Sequence, residues 1–121
     1  MNRWLWRLFL AALAATPAPN AAAHAELVRT VPAAGSAVRE SPARLTLRLS
    51  QRFEPAFSRV RVLNAQGEPV GSGEVQVDPA DPRQLSVSLP RLAPGTYRVQ
   101  WRVLSVDTHV SEGHLAFDVR P

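Results

Sequence analysis

Three histidines stand in this 121-residue chain, at positions 24, 109 and 114, and the first two are where a metal ion could use them. His109 closes the segment Ser105-Val106-Asp107-Thr108-His109. Asp107 and His109 are two apart, and in an extended strand that spacing sends a carboxylate and an imidazole to one face. The pair is a ligand candidate. Taken alone, an Asp-x-His has a plainer reading as an ion pair on a loop.

His24 owes its interest to what precedes it. Arg3 and Arg7, an apolar stretch over 8–15 and the small residues Ala21-Ala22-Ala23 have the layout of a secretory signal, so residues 1–23 are expected to be cleaved. His24 then becomes the first residue. Its free α-amine and imidazole Nδ1 can close a six-membered chelate ring on one ion, a grip available only at a terminus because a peptide nitrogen is not an amine. An α-amine with a pKa of about 7.7–8.0 gives up its proton to a divalent ion at neutral pH with modest cost. With Asp107 and His109 added, the set holds three nitrogens and at least one oxygen. Such donors suit tetragonal copper(II), which also heads the affinity order for divalent ions; zinc and nickel are the other candidates.

Composition narrows the chemistry further. The chain has no cysteine, and its single methionine, Met1, leaves with the signal. Thiolate and thioether metal sites and cysteine nucleophiles are therefore excluded from residues 24–121. The formal charge of +4 is halved when Arg3 and Arg7 depart. The remaining arginines, among them Arg44, Arg48, Arg59, Arg61, Arg98 and Arg102, alternate with apolar residues and are interleaved with acids, the pattern of a solvated sheet face and not of a nucleic-acid site. All fourteen basic residues are arginine, for which there is no functional account.

The elements that must hold these residues are strands. Period-two alternation marks 45–50, 85–89 and 97–104, and the chain closes on Leu115, Phe117 and Val119; shorter strands are expected at 26–31, 59–63 and 74–77. Turn signals rich in Pro, Gly, Asn and Asp fall at 32–36, 64–67, 78–82 and 93–95. No helical period appears. About seven short strands with such connections predict an all-β fold, an antiparallel Greek-key β-sandwich of cupredoxin or immunoglobulin type, with a small closed barrel as the alternative. Residues 24–121 are read as one domain, enough for a single core and soluble because nothing after the signal reaches the roughly 20 apolar residues of a membrane span.

Over nearly this whole length the chain resembles the CopC family of periplasmic copper-resistance proteins. Three stretches carry the resemblance: His24 with Leu27-Val28 and Thr30-Val31-Pro32-Ala33-Ala34-Gly35-Ser36; residues 45–50; and Ala93-Pro94-Gly95-Thr96-Tyr97-Arg98-Val99-Gln100-Trp101, leading into Asp107-Thr108-His109 and on to Gly113 in an Asp-x-His-x-x-x-Gly pattern. The resemblance implies a periplasmic, cupredoxin-like sandwich holding one copper(II) through the amine and imidazole of His24, the imidazole of His109 and the carboxylate of Asp107, the last either as a direct or axial ligand or as a partner to one. It implies a non-enzymatic carrier or buffer, monomeric, with a CopD-like inner-membrane protein as partner.

Two features depart from the family pattern. Gln51 stands where some members carry a glutamate associated with copper(II), and an amide oxygen is the poorer ligand, so Gln51 is left out of the set. The methionine-rich loop that gives certain members a copper(I) site is absent. His114 is expected to be a strand residue and not a ligand. Ser105 and Ser111 lie near Asp107 and His109, but no Gly-x-Ser-x-Gly turn accompanies them and a hydrolase triad is set aside. Two further classes stay open: a copper-dependent monooxygenase using an N-terminal histidine, and a metal-free immunoglobulin-like module.

Overall fold

Leucines alternating with polar residues build the strand they imply. In β3 (Arg44–Leu49), Leu45, Leu47 and Leu49 are buried while Arg44 and Arg48 face out. The same alternation in β7 (Gly95–Leu104) turns Tyr97, Val99, Trp101 and Val103 inward. β4 (Arg59–Leu63), β6 (Asp81–Ser88) and β8 (Val110–Val119) follow it with Val60 and Val62, Leu85 and Val87, and Leu115, Phe117 and Val119. β1 (Leu27–Val31), β2 (Ala37–Val38) and β5 (Gln76–Asp78) complete the strands, and a short 3-10 turn, Pro55–Phe57, precedes β4. The computed structural model describes residues 25–121; the expected signal segment, the cut after Ala23 and His24 itself lie outside the described residues.

The strands form two four-stranded sheets, in the orders β1-β3-β6-β5 and β2-β8-β7-β4. Their inner faces meet in one core, and the architecture is the expected Greek-key sandwich. Each fully buried Leu, Val or Phe side chain contributes about 1.5–3 kcal/mol over its exposed state. Tyr97 and Phe117 stack in that core with ring centroids 5.7 Å apart. Among the described residues no helix is long and apolar enough to cross a membrane.

The structure differs from expectation at three places. A short strand, β2, lies beyond the seven and pairs parallel with the end of β8, through Ala37 with Asp118 and Val38 with Val119. β6 starts at Asp81 instead of within 85–89, because Asp78 Oδ1 accepts the Ala80 amide at 2.9 Å and confines the turn to Pro79-Ala80. β8 starts at Val110, well before Leu115, because pairing with β7 carries it through Ser111, Glu112 and His114, whose polar character hides the alternation.

Gly113 is a close-packing glycine. It pairs with Trp101, and a Cβ there would stand 2.7 Å from the indole. Because Trp101 is 8% exposed and has little room to retreat, Gly113→Ala is expected to destabilise the fold by about 1–3 kcal/mol. Denaturant unfolding measures this, and an unchanged midpoint would show that the indole moves freely.

One end of the sandwich matters for the site. β1 starts there, β3 and β7 finish there, and β8 begins there, since Leu27 pairs with Leu49 and Leu104 with Val110.

Candidate metal centre

The connection from β7 to β8 is a tight turn at that end. Ser105 N donates to the His109 carbonyl at 2.9 Å and Thr108 N to the Ser105 carbonyl at 2.9 Å. The stretch after β3 is pinned beside it: Phe53 forms a bridge with Ser105, Val106 N donates to the Arg52 carbonyl at 3.1 Å, and Glu54 N to the Leu104 carbonyl at 2.8 Å. The backbone of 105–109 is thus held from both sides.

Asp107 and His109 come together, though not by the strand geometry their spacing suggests. Thr108 between them has φ of 73°, a left-handed conformation rare for a β-branched residue. That reversal folds the two side chains toward each other, with His109 Nδ1 3.5 Å from Asp107 Oδ1. Both are partly exposed, which leaves room for an incoming ion. Nδ1 is the His109 nitrogen turned toward the carboxylate.

Ser105 organises the pair. It is fully buried, and its hydroxyl donates to Asp107 Oδ1 while lying 3.0 Å from the His109 carbonyl. The Asp107 carboxyl is held below its ordinary value, first by the Ser105 hydroxyl and then, against some desolvation, by the backbone amide and side chain of His109. A carboxyl with a lowered folded pKa adds stability that is full above its unfolded value, about 3.9, and fades as pH falls through the lowered one. Ser105→Ala should let the Asp107 pKa climb back toward about 3.9, as a carboxyl-detected NMR titration would record. An unmoved pKa would remove Ser105 from this role.

The other sequence candidates fall out differently. His114 projects from the outer face of β8 opposite Gln100, apart from the 105–109 turn, and does not join the pair. Gln51 directly follows Ser50 at the end of β3, immediately before the pinned Arg52. Among the described residues no group of three or more His, Asp or Glu side chains converges on one point. The described part of the expected ligand set is therefore Asp107 and His109. Sequence reasoning passed over Ser105 as a positioning residue, and the signal available was a small hydroxyl two residues before Asp107.

The chain also enters the sandwich at this end. Ala25 is buried, Glu26 N donates to Ser50 Oγ at 2.8 Å, and Ser50 N donates to the Glu26 carbonyl at 2.8 Å.

The CopC domain family model matches residues 27–120, from the first strand to beyond the last. The chain belongs to the CopC family. Protein YobA of Escherichia coli K12 is 37% identical over 103 residues, 84% of this chain and 83% of that protein. The crystal structure of CopC from Methylosinus trichosporium OB3b matches with a TM-score of 0.77 at 39% identity, over 81% of this chain and 95% of that one. PcoC, a methionine-rich copper resistance protein from Escherichia coli, matches with a TM-score of 0.70 at 35% identity, over 81% and 100% of the two chains. The methionine richness of PcoC has no counterpart in this CopC domain, because Met1 is the single methionine of the chain. The 105–109 turn lies inside the matched CopC region.

Proposed function

We propose that this protein is a periplasmic copper(II) carrier or buffer serving copper homeostasis and resistance. It acts without catalysis, as a monomer, binds one ion and passes it to a CopD-like inner-membrane partner. Cleavage after Ala23 frees His24, whose α-amine and Nδ1 chelate the ion together with His109 and its carboxylate partner Asp107.

The observation that supports this most is the anchoring of Ala25. Its neighbour Glu26 is tied to Ser50, and the chain just beyond Ser50 is pinned to the Ser105–Val106 backbone. The described chain thus begins, at Ala25, at the end of the sandwich that carries Asp107 and His109. The donors are nitrogen and oxygen only, which favours copper(II) over copper(I). Family membership and kin named for copper resistance support copper as the ion, without regard to its oxidation state.

Titration of the form beginning at His24 tests the reading. One equivalent of copper(II) should bind, and reduction should release the ion to a copper(I) chelator. Retention of copper(I) as tight as that of copper(II) would refute the donor set, and no copper binding at all would favour a metal-free immunoglobulin-like module.

A further inference from the structure

Four arginines gather on one exposed sheet face. Arg59 and Arg61 alternate outward on β4, and Arg98 and Arg102 do so on β7. Strand register sets Arg59 beside Arg102, Arg61 beside Gln100 and Leu63 beside Arg98. On the far side of β7, Arg102 meets Glu112, Gln100 meets His114 and Arg98 meets Ala116. The result is three cross-strand rows bearing four guanidinium groups and one carboxylate.

The interleaving of acids expected from the sequence holds on the other sheet, where Arg48 lies 3.5 Å from Asp81, but fails here. The remaining close acid–base contacts of the described residues are Arg120 with Asp118 and His109 with Asp107, so none of the four arginines has a carboxylate within 4.0 Å, and Glu112, opposite Arg102, is the one acid in these rows. Arg59 directly opposite Arg102 works against the sheet, since like charges on facing residues repel. An external anionic surface relieves that repulsion.

We propose that this face docks the protein onto an anionic phospholipid bilayer. The site is an open, shallow depression lined by Arg59, Arg61, Gln100, Arg102, Glu112 and His114, with the largely buried Trp101 and its partner Gly113 between them. Protein–protein interfaces need a buried centre that is poor in charge and rich in aromatics, whereas here the middle rows are charged and polar and the apolar residues flank them, Leu63 and Ala116 on one side and Leu104 and Val110 on the other. A headgroup surface asks only for cations spread over an exposed face, and guanidinium forks match phosphate oxygens two at a time. Phe57, 70% exposed in the 3-10 turn two residues before Arg59, adds an apolar contact of the kind interfacial anchors use. The row of Arg59, Arg102 and Glu112 is the one nearest the 105–109 turn, so docking leaves the turn at the edge of the contact. None of this depends on the copper reading.

The test uses the form beginning at His24, because the apolar stretch 8–15 would enter lipid by itself. Co-sedimentation is measured with vesicles of phosphatidylglycerol and phosphatidylcholine in equal parts, and with phosphatidylcholine alone. Binding is expected on the anionic vesicles at low salt and not on the neutral ones, and it should vanish as salt screens the charges. Arg59→Gln with Arg102→Gln should weaken partitioning on the order of twentyfold, at about fivefold per arginine. The charge-matched pair Arg44→Gln and Arg83→Gln, outside this face, should bind like the unaltered protein. Thermal unfolding confirms that both variants fold. No binding to anionic vesicles at low salt overturns the proposal, as does an equal loss in the charge-matched pair. Capture by polyglutamate without vesicle binding also overturns it, in favour of an acidic protein partner.

Discussion

A single residue added before His24 is expected to lower copper(II) affinity at least tenfold, about 1.4 kcal/mol, although every side chain of the proposed site remains. The extension converts the α-amine into a peptide nitrogen. Its lone pair is delocalised into the carbonyl, so it can donate only after copper(II) displaces the amide proton, which costs more than deprotonating an amine. The imidazole of His24 can still bind, but as a lone ligand outside the chelate ring. What is lost is the entropic advantage of two donors on one residue, together with one of three nitrogens. Chelator competition on the two forms, at one pH and in one buffer, gives the difference. Intact mass of the exported protein fixes its first residue, which must be His24 for the comparison to apply. Equal affinities would end the terminal-chelate mechanism while leaving His109 and Asp107 as a separate question.

The fold is legible where one face of a strand is wholly buried. In β3 and over residues 96–103 of β7 each inward position is Leu, Val, Tyr or Trp and each neighbour outside is Arg, Thr or Gln, so the side-chain period of two survives in the residue types. It is illegible where pairing, and not burial, sustains the strand. The first half of β8 is held by its ladder to β7 while presenting Ser111, Glu112 and His114, a stretch that reads as loop. β2 is two residues long and exists only because the end of β8 lies beside it. Neither has a local cause that a sequence can display.

At the site, residue types are more legible than geometry. Asp107 and His109 are identifiable by chemistry and spacing, but the spacing argument assumes an extended strand and the actual agent is Thr108 at positive φ. A threonine is a poor advertisement for a left-handed turn, because its branched Cβ makes that conformation costly; here the backbone bonds of Ser105 to His109, Val106 to Arg52 and Glu54 to Leu104 impose it. The arginine face has the same origin. Arg59 and Arg61 become neighbours of Arg98 and Arg102 only through the β4–β7 register, a pairing between distant parts of the chain. Charge balance summed along the sequence reports interleaving, while the sheet separates the charges.

His109→Ala is expected to cost at least as much affinity as the terminal extension, tenfold or more, because it removes an imidazole with no substitute nearby. His114 stands on the outer face of β8 opposite Gln100, and His114→Ala should leave the affinity unchanged. Asp107 allows a finer test. If its carboxylate works by orienting His109 through Nδ1, as their 3.5 Å approach and the Ser105 hydrogen bond suggest, Asp107→Asn should cost about 10–100-fold. In that case Asp107 has nothing to orient once His109 is gone. The double variant should then bind no more weakly than His109→Ala alone, a coupling as large as the single Asp107 effect. A carboxylate bound directly to copper behaves otherwise, since each ligand is lost separately and the two costs approach their sum. Chelator competition on the two single variants and the double variant separates these outcomes. Additive losses would make Asp107 a ligand in its own right, and a coupled loss would make it the residue that aims His109 at the ion.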